Sequence, residues 1–455
     1  MKTLFAILTV LTVSVNSLNA QSSDAALRRV IDSDAAAKTS GSMSTLSADE
    51  HLSRAQTYMD NRMFPQARGH WAVVLAKYPD DPGIPKALFG TARSYMWERE
   101  YLKAVEWFDR LTKDHLMTKD GREGLAFKGA SYVRAGKNIE AAKTYEQYVT
   151  LFPQGEKIES AHLNIIDAYR EAGEYQKATD WVAKTVGTFT GKPTEANALQ
   201  ARVRMEIYRG RWDDAVRAAD DLLASGTFRS SMTSTDEAKY LKALALEKAG
   251  KKSEANAVYG SIPNTLTSFF GGLAADKFAG THIQKIGQAT PKLYADYPVM
   301  FAPQVVKHAR KQKIDPRFVL AIMKQESSFR ANAKSPAGAR GLIQLVFDTA
   351  IKYKDEAGYR NLKPDDLYSP EINVAIGSIY IRELKDEFDG MYEAIAASYN
   401  AGEDNAARWL ARTKPREPGV FAAEVGFAET KNYVFKVMNN YRVYRELYDE
   451  NLQRR

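Results

Sequence analysis

Glu326 is the residue of this chain best placed to handle a proton. The segment Asp315–Leu345, DPRFVLAIMKQESSFRANAKSPAGARGLIQL, puts it on the apolar face of a short helix and follows it with a glycine-rich loop. Asp315 is a natural N-cap, and Pro316 suits the first helical position. Phe318, Val319, Ile322 and Met323 recur at helical spacing, and Glu326 lies four residues after Ile322 on the same stripe. A carboxyl held against apolar walls has its charged form disfavoured and its pKa raised, which makes it a proton donor near neutral pH. The same place also suits a helix-end glutamate in a structural ion pair with Lys324 or Arg330.

Composition removes most competing chemistries. The chain has no cysteine, which excludes disulfides, thiolate nucleophiles, cysteine zinc sites and a lipid-anchoring cysteine. Its histidines are His51, His70, His115, His162, His282 and His308, so none follows His308. The region around Glu326 thus lacks an internal histidine for a Ser-His triad or a histidine metal site. Carboxylates, tyrosines and amides remain, and neither a metal nor a cofactor is expected.

Four further segments accompany the helix. Ser335–Gly341 is a turn with two glycines and a proline, suited to bringing backbone N–H groups near a ligand. Gln344 follows, with an amide able to hydrogen-bond a sugar hydroxyl or acetamido group. Ser369 and Pro370 start another helix that carries Asn373. Ala394–Gly402 is a helix end bearing Tyr399 and Asn400, which on their own are weak signals, since a buried tyrosine beside a capping asparagine is commoner than a catalytic pair.

The rest of the chain must position these groups. Residues 1–20 read as a secretory signal, with Lys2 as its basic start and Leu4–Val15 as its apolar core. Removing Lys2 changes the formal net charge from +8 to +7, which suits an anionic polymer or a plain solubilising surface. Residues 21–48, rich in Ser, Ala, Thr and Asp, read as a flexible leader. Then Ala67, Ala104, Ala141, Ala178 and Ala215 recur every 37 residues, Ala255 follows after 40, and Tyr58, Tyr95, Tyr132 and Tyr169 keep the same 37-residue period. Gly136, Gly173, Gly210 and Gly250 would end the first helix of each pair, and the alanine would let the second pack close.

This register resembles the tetratricopeptide family. Six units over 49–263 imply an α-solenoid that grips a partner protein, threads a polymer or positions the C-terminal domain. A connector, 264–296, includes Thr265–Gly280, which reads as a helix pair with a glycine break.

Tyr297–Tyr444 resembles the catalytic domain of the soluble lytic transglycosylases, which share a lysozyme-like fold. The resemblance is carried by Gln325–Phe329, Ser335–Leu345, Ser369–Asn373, Ser398–Gly402 and Phe427–Val434, in the family's order and spacing. Ile343, Val346-Phe347 and Val425-Gly426 depart from the family pattern, and none of them is the proton-transfer group. The expected fold is therefore all-α: an N-terminal α-solenoid of helix-hairpin repeats, then a lysozyme-like, mainly α-helical catalytic domain over 297–455.

The resemblance implies an enzyme, a carbon–oxygen lyase that cleaves the β-1,4 bond between N-acetylmuramic acid and N-acetylglucosamine in peptidoglycan without water. Glu326 would act as general acid and then base. Ser335, Gln344, Tyr399 and Asn400 would hold the sugar, Asn373 and Glu429 would line or brace the cleft, and Ser327 and Tyr433 would support it. The implied partner is the peptidoglycan glycan strand and not nucleic acid. The implied location is the periplasm of a Gram-negative cell, with no lipid anchor and no membrane span after signal removal. The alternatives are a hydrolytic muramidase of the same fold, assisted by Asp348, Asp355, Asp386 or Glu403, and a repeat scaffold that binds glycan without cutting it.

Overall fold

A computed structural model describes residues 17–41, 45–277, 290–336 and 338–455, with 17–24 described in backbone only. The expected signal segment 1–20 lies outside the described residues as far as Asn16. Packing divides the chain into Val15–Thr190 and a second unit that contains Gly191–Arg455.

The first unit holds α1 (Ser17–Thr39), α2 (Ala48–Asp60), α3 (Phe64–Lys77), α4 (Ile84–Trp97), α5 (Tyr101–His115), α6 (Lys119–Arg134), α7 (Asn138–Leu151), α8 (Ile158–Glu171) and α9 (Tyr175–Thr188). The second opens with α10 (Pro193–Tyr208), α11 (Trp212–Ser225), α12 (Thr235–Lys248), α13 (Lys252–Gly260), α14 (Phe269–Lys277) and α15 (Pro291–Asp296). It continues with α16 (Ala302–Lys311), α17 (Pro316–Ser327), α18 (Phe347–Tyr353), α19 (Pro370–Glu387), α20 (Tyr392–Ala401), α21 (Glu403–Ala411), α22 (Pro418–Glu424) and α23 (Ala428–Leu447). Among the described residues every such element is helical, and β-pairing is confined to isolated bridges such as Lys334 with Arg340 and Arg340 with Leu345. The chain is all-α, as expected.

The repeat is a helix hairpin closed by one backbone device. Residues 62, 99, 136, 173, 210 and 250 all adopt the left-handed conformation, with φ between 61° and 83°. The residue after each sends its N–H back to a carbonyl near the helix end, as from Met63 to Tyr58 and from Lys137 to Tyr132, both at 2.9 Å. The periodic tyrosine therefore supplies the carbonyl that stops the helix. Glycine fills the left-handed slot in four units, but Arg62 and Arg99 fill it in the first two. The repeated alanines Ala67, Ala104, Ala141, Ala178 and Ala215 have no exposed surface.

Two expected segments differ. Residues 21–48 contain most of α1 instead of a flexible leader, because Asp34 on that helix is buried against α2 and α3. Its carboxylate accepts hydrogen bonds from Tyr58 Oη at 2.7 Å and His70 Nε2 at 2.9 Å and pairs with Arg54. Burial alone would raise its pKa, but these partners hold it below the usual carboxylate value. Of Thr265–Gly280, the described part, as far as Lys277, carries one helix, α14, where a pair was expected. Gly271 and Gly272 do not break it: a Cβ at either would stand 2.0 Å from Pro263 O or Arg442 Nη1, so they admit close neighbours.

The core that carries the site draws Phe318, Val319, Ile322 and Met323 from α17, Ile376 and Ile381 from α19, Ile395 from α20, and Val434, Tyr441 and Tyr444 from α23. Within the same unit α10 and α12 pack on α22, and α14 packs on α22 and α23. Gly419 of α22 lies so close to α12 that a Cβ there would meet Tyr240 at 2.1 Å.

Candidate active site

Glu326 stands in the last turn of α17, where the sequence places it. The helix begins as expected, with Asp315 capping the Arg317 N–H at 2.9 Å and Pro316 at the first position. Its end is strained. Ser328 and Phe329 are consecutive non-glycine residues in the left-handed region, with φ of 49° and 65°. Such conformations cost about 1–3 kcal/mol each and persist where the surroundings impose them. Here Phe329 is buried in the core, and Ser327 Oγ donates to Leu342 O at 2.7 Å, tying the helix end to the loop beyond.

Glu326 as a residue is partly exposed, while its carboxyl sits in dense packing. Burial pushes its pKa up to about 7, and one hydrogen bond, from Tyr433 Oη to Oε1 at 2.5 Å, pulls the other way. The ion-pair alternative does not form. Lys324 Nζ donates to Asp296 O at 2.6 Å, and Arg330 Nε donates to Ser327 O at 3.1 Å. Among the described residues Oε2 has no protein donor. Burial and the neighbouring Glu326 charge hold the Tyr433 and Tyr399 hydroxyls well above the ordinary tyrosine pKa, so both remain donors.

The loop after α17 is built by residues that look, in sequence, like sugar ligands. Asn373 is fully buried and joins that loop to the turn before its own helix. Its Nδ2 donates to Arg340 O at 2.9 Å and Leu367 O at 2.8 Å, and its Oδ1 accepts from the Ile343 N–H at 3.0 Å. Gln344, itself at φ 50°, donates to Ala333 O at 3.1 Å and Gly341 O at 2.8 Å. Ser335 Oγ accepts the Ala339 N–H at 3.1 Å and closes the turn. Tyr399 Oη donates to Ile343 O at 2.7 Å. Gly341 is obligatory, since its φ is 82° and a Cβ there would stand 2.2 Å from Leu367 O.

Asn373 is thus a brace and not a sugar contact, and Gln344, Ser335 and Tyr399 are joined to the loop backbone. Asn400 differs. Its Oδ1 accepts from Thr430 Oγ1 at 2.7 Å, while its amide nitrogen has no partner among the described residues. Glu429 stands half-buried in the first turn of α23, beside Thr430. Tyr433, expected only as support, bonds the Glu326 carboxyl directly. Its spacing three residues after Thr430, on one helical face, is the signal that pairs them.

Fold and site together define an all-α protein in which helical-hairpin repeats precede a helical domain that holds a buried glutamate carboxyl beside a tyrosine hydroxyl. Residues 304–420 match the transglycosylase SLT domain family, and residues 52–115 and 201–261 match the tetratricopeptide repeat family. The chain carries a transglycosylase SLT domain behind a tetratricopeptide-like helical domain. The soluble lytic murein transglycosylase of Salmonella typhimurium is 31% identical over 156 residues, covering 33% of this chain and 24% of that protein. The membrane-bound lytic murein transglycosylase C of Serratia proteamaculans is 28% identical over 166 residues, covering 32% and 46%. The chain therefore spans about a quarter of the length of the soluble relatives it matches.

Among solved structures, an inactive mutant of lytic transglycosylase Slt from Pseudomonas aeruginosa aligns with a TM-score of 0.52 at 16% identity, over 86% of this chain and 77% of that one. A 70-kDa soluble lytic transglycosylase in complex with bulgecin A aligns with a TM-score of 0.53 at 16% identity, over 96% and 98%. These likenesses concern the fold.

Proposed function

We propose that the protein is an exported peptidoglycan lytic transglycosylase that cleaves the N-acetylmuramic acid–β-1,4–N-acetylglucosamine bond and leaves 1,6-anhydro ends. The observation that carries this reading is Glu326: a carboxyl with pKa about 7, one oxygen held by Tyr433 and the other without a protein donor among the described residues. Near neutral pH a large fraction is protonated. The proton passes to the glycosidic oxygen as the C1–O4 bond breaks. The carboxylate left behind is stabilised by the Tyr433 hydroxyl and accepts the proton of the muramyl C6 hydroxyl, whose oxygen closes onto C1. Glu326 ends as it began, and no water is consumed. Asn400 offers its amide nitrogen to the acetamido carbonyl of the sugar, with Glu429 beside it.

A retaining hydrolase uses a second carboxylate about 5 Å from the first. Asp348, Asp355 and Asp386 are exposed to solvent, and Glu403 accepts from Tyr380 Oη at 3.3 Å. The causes acting on the Glu326 carboxyl are burial and Tyr433, with no contribution from another carboxylate. The relatives named as murein enzymes and the signal-like residues 1–20 support a periplasmic location. Among the described residues no helix is long and apolar enough to cross a membrane.

The test is digestion of purified sacculi by the full chain and by Glu326→Gln, with products weighed by mass spectrometry. Anhydromuropeptides from the first and none from the second are expected. Products heavier by one water would establish the hydrolase instead, and equal turnover by the variant would remove Glu326 from its role.

A further inference from the structure

A chain of buried charges joins the last repeats to the helix that holds Tyr433. Lys431 of α23 and Glu237 of α12 are 3% and 1% exposed, and Lys431 Nζ lies 2.8 Å from both carboxylate oxygens. Gln200 Nε2 donates to Glu237 Oε1 at 2.8 Å and to Ala423 O at 3.0 Å. Arg204 Nε donates to Gln200 Oε1 at 2.8 Å, and its Nη1 to Glu424 Oε2 at 3.0 Å. Arg412 Nη2 closes the chain on Glu424 O at 3.1 Å. Two repeat helices, α10 and α12, thereby grip α22 and α23.

Such a network is a poor way to gain stability, since desolvating the ions cancels most of their attraction. Its value lies in register. Lys431 is in the first turn of α23, its N–H bonded to Phe427 O at 2.9 Å. Thr430 and Tyr433 share one face of that helix and reach Asn400 and Glu326, at 2.7 Å and 2.5 Å. Lys431 projects from another face, about 100° round from Thr430 and about 160° from Tyr433. The ammonium therefore holds the turn from behind while its front makes the contacts to the site. A two-oxygen grip fixes both the height and the rotation of the helix, and hydrogen bonds fail steeply with misplacement.

We propose that Glu237, on a repeat helix, is a positioning residue for the acid Glu326, acting through Lys431 and the first turns of α23. This rests on Glu326 being the acid of the proposed reaction. It gives the last repeats a task in the chemistry itself, beyond any part the other repeats play in holding substrate. When the grip is lost, Tyr433 leaves the carboxylate, the one interaction that favours its charged form disappears, and its titration moves upward. Among the described residues the ionisable groups that couple to Glu326 are Tyr433 of α23 and Tyr399 of α20, both held protonated, so no other described charge masks the movement.

The experiment compares the full chain with Glu237→Gln, Lys431→Met and the charge-neutral pair Glu237→Gln/Lys431→Met. Two quantities are read: the titration of Glu326 by carboxyl carbon-13 NMR, its signal assigned by its loss in Glu326→Gln, and the pH dependence of glycan cleavage. We expect each variant that stays folded by circular dichroism to raise the Glu326 midpoint by about half a pH unit or more. At pH 7 kcat falls roughly tenfold with KM nearly unchanged. Glu237→Asp, which keeps the charge, recovers part of both. Should the single variants unfold, the neutral pair decides, since it leaves no unpaired buried ion. A folded variant with an unmoved Glu326 midpoint overturns the proposal. Wild-type protein that leaves sacculi uncut would instead overturn the proposed function, with the NMR titration still deciding the role of Glu237.

Discussion

Tyr433 donates its phenolic hydrogen to Glu326 Oε1 across 2.5 Å, and this is the one interaction that lowers the pKa of a carboxyl that burial raises to about 7. The two residues lie 107 positions apart. Tyr433→Phe removes the hydroxyl and keeps the ring. The carboxyl then titrates above 7, so the fall of activity as it loses its proton moves to higher pH. The carboxylate formed after proton donation also loses its stabilising donor, and kcat at pH 7 is expected to fall roughly tenfold. The pH–rate profiles of wild type and variant check both. Superimposable profiles would show that the hydroxyl has no part in the titration.

A second carboxyl shares the raised pKa without sharing the site. Glu393, in the first turn of α20, is pushed up to about 7 by burial, with only its own backbone N–H opposing. It lies six residues before Tyr399, about 9 Å along the helix. Glu393→Gln is expected to leave glycan cleavage unchanged. Stability should respond. The folded chain keeps the Glu393 proton up to about pH 7, whereas the unfolded chain releases it near 4.5. The contribution is thus complete below 4.5 and is lost as pH rises through 7. Each such carboxyl gives a slope of about 1.4 kcal/mol per pH unit within that window. Urea unfolding at pH 5, 6, 7 and 8 should show a shallower decline for the variant than for wild type.

The left-handed slot of the repeat makes a different expectation. Arg99 is exposed and holds φ 64°, where its counterparts from the third repeat onward are glycines. Arg99→Gly relieves backbone strain and loses some unfolded-state restriction, for a net gain of about 0.5–1 kcal/mol. Thermal unfolding of the variant should shift upward by a degree or more. A lower melting temperature would mean that the arginine side chain outweighs the strain.

These contrasts show what the sequence made legible. The repeat period, the buried alanines, the Asp315-Pro316 start and the inward Glu326 all follow from local spacing, because helical periodicity and capping act over a few residues. The helix over Ser17–Thr39 was hidden, since its composition reads as a solvated leader and only Tyr58, His70 and Arg54, brought by the fold, give Asp34 a reason to be buried. The grip of Glu237 on Lys431 joins residues 194 positions apart, and no period or motif announces it. Asn373, Gln344 and Ser335 were visible as important polar residues, yet an amide that braces a loop and one that binds a sugar look identical in a sequence.

Asn373 gives the sharpest way to separate those two roles. It has no exposed surface, and its side chain serves three backbone groups, Arg340 O, Leu367 O and the Ile343 N–H. Asn373→Ala strands them in the interior, and leaving buried polar groups unpaired costs about 1–3 kcal/mol each. Part of that cost is escaped if the loop opens to water, so a total loss of about 2–4 kcal/mol is expected in urea unfolding. The opened loop no longer presents Ile343 O to Tyr399, and kcat falls. The Glu326 limb of the pH–rate profile stays in place, because the hydroxyl that lowers its pKa comes from Tyr433 on α23 and not from the loop. A sugar-binding residue would behave the other way, raising KM while leaving the unfolding midpoint where it was.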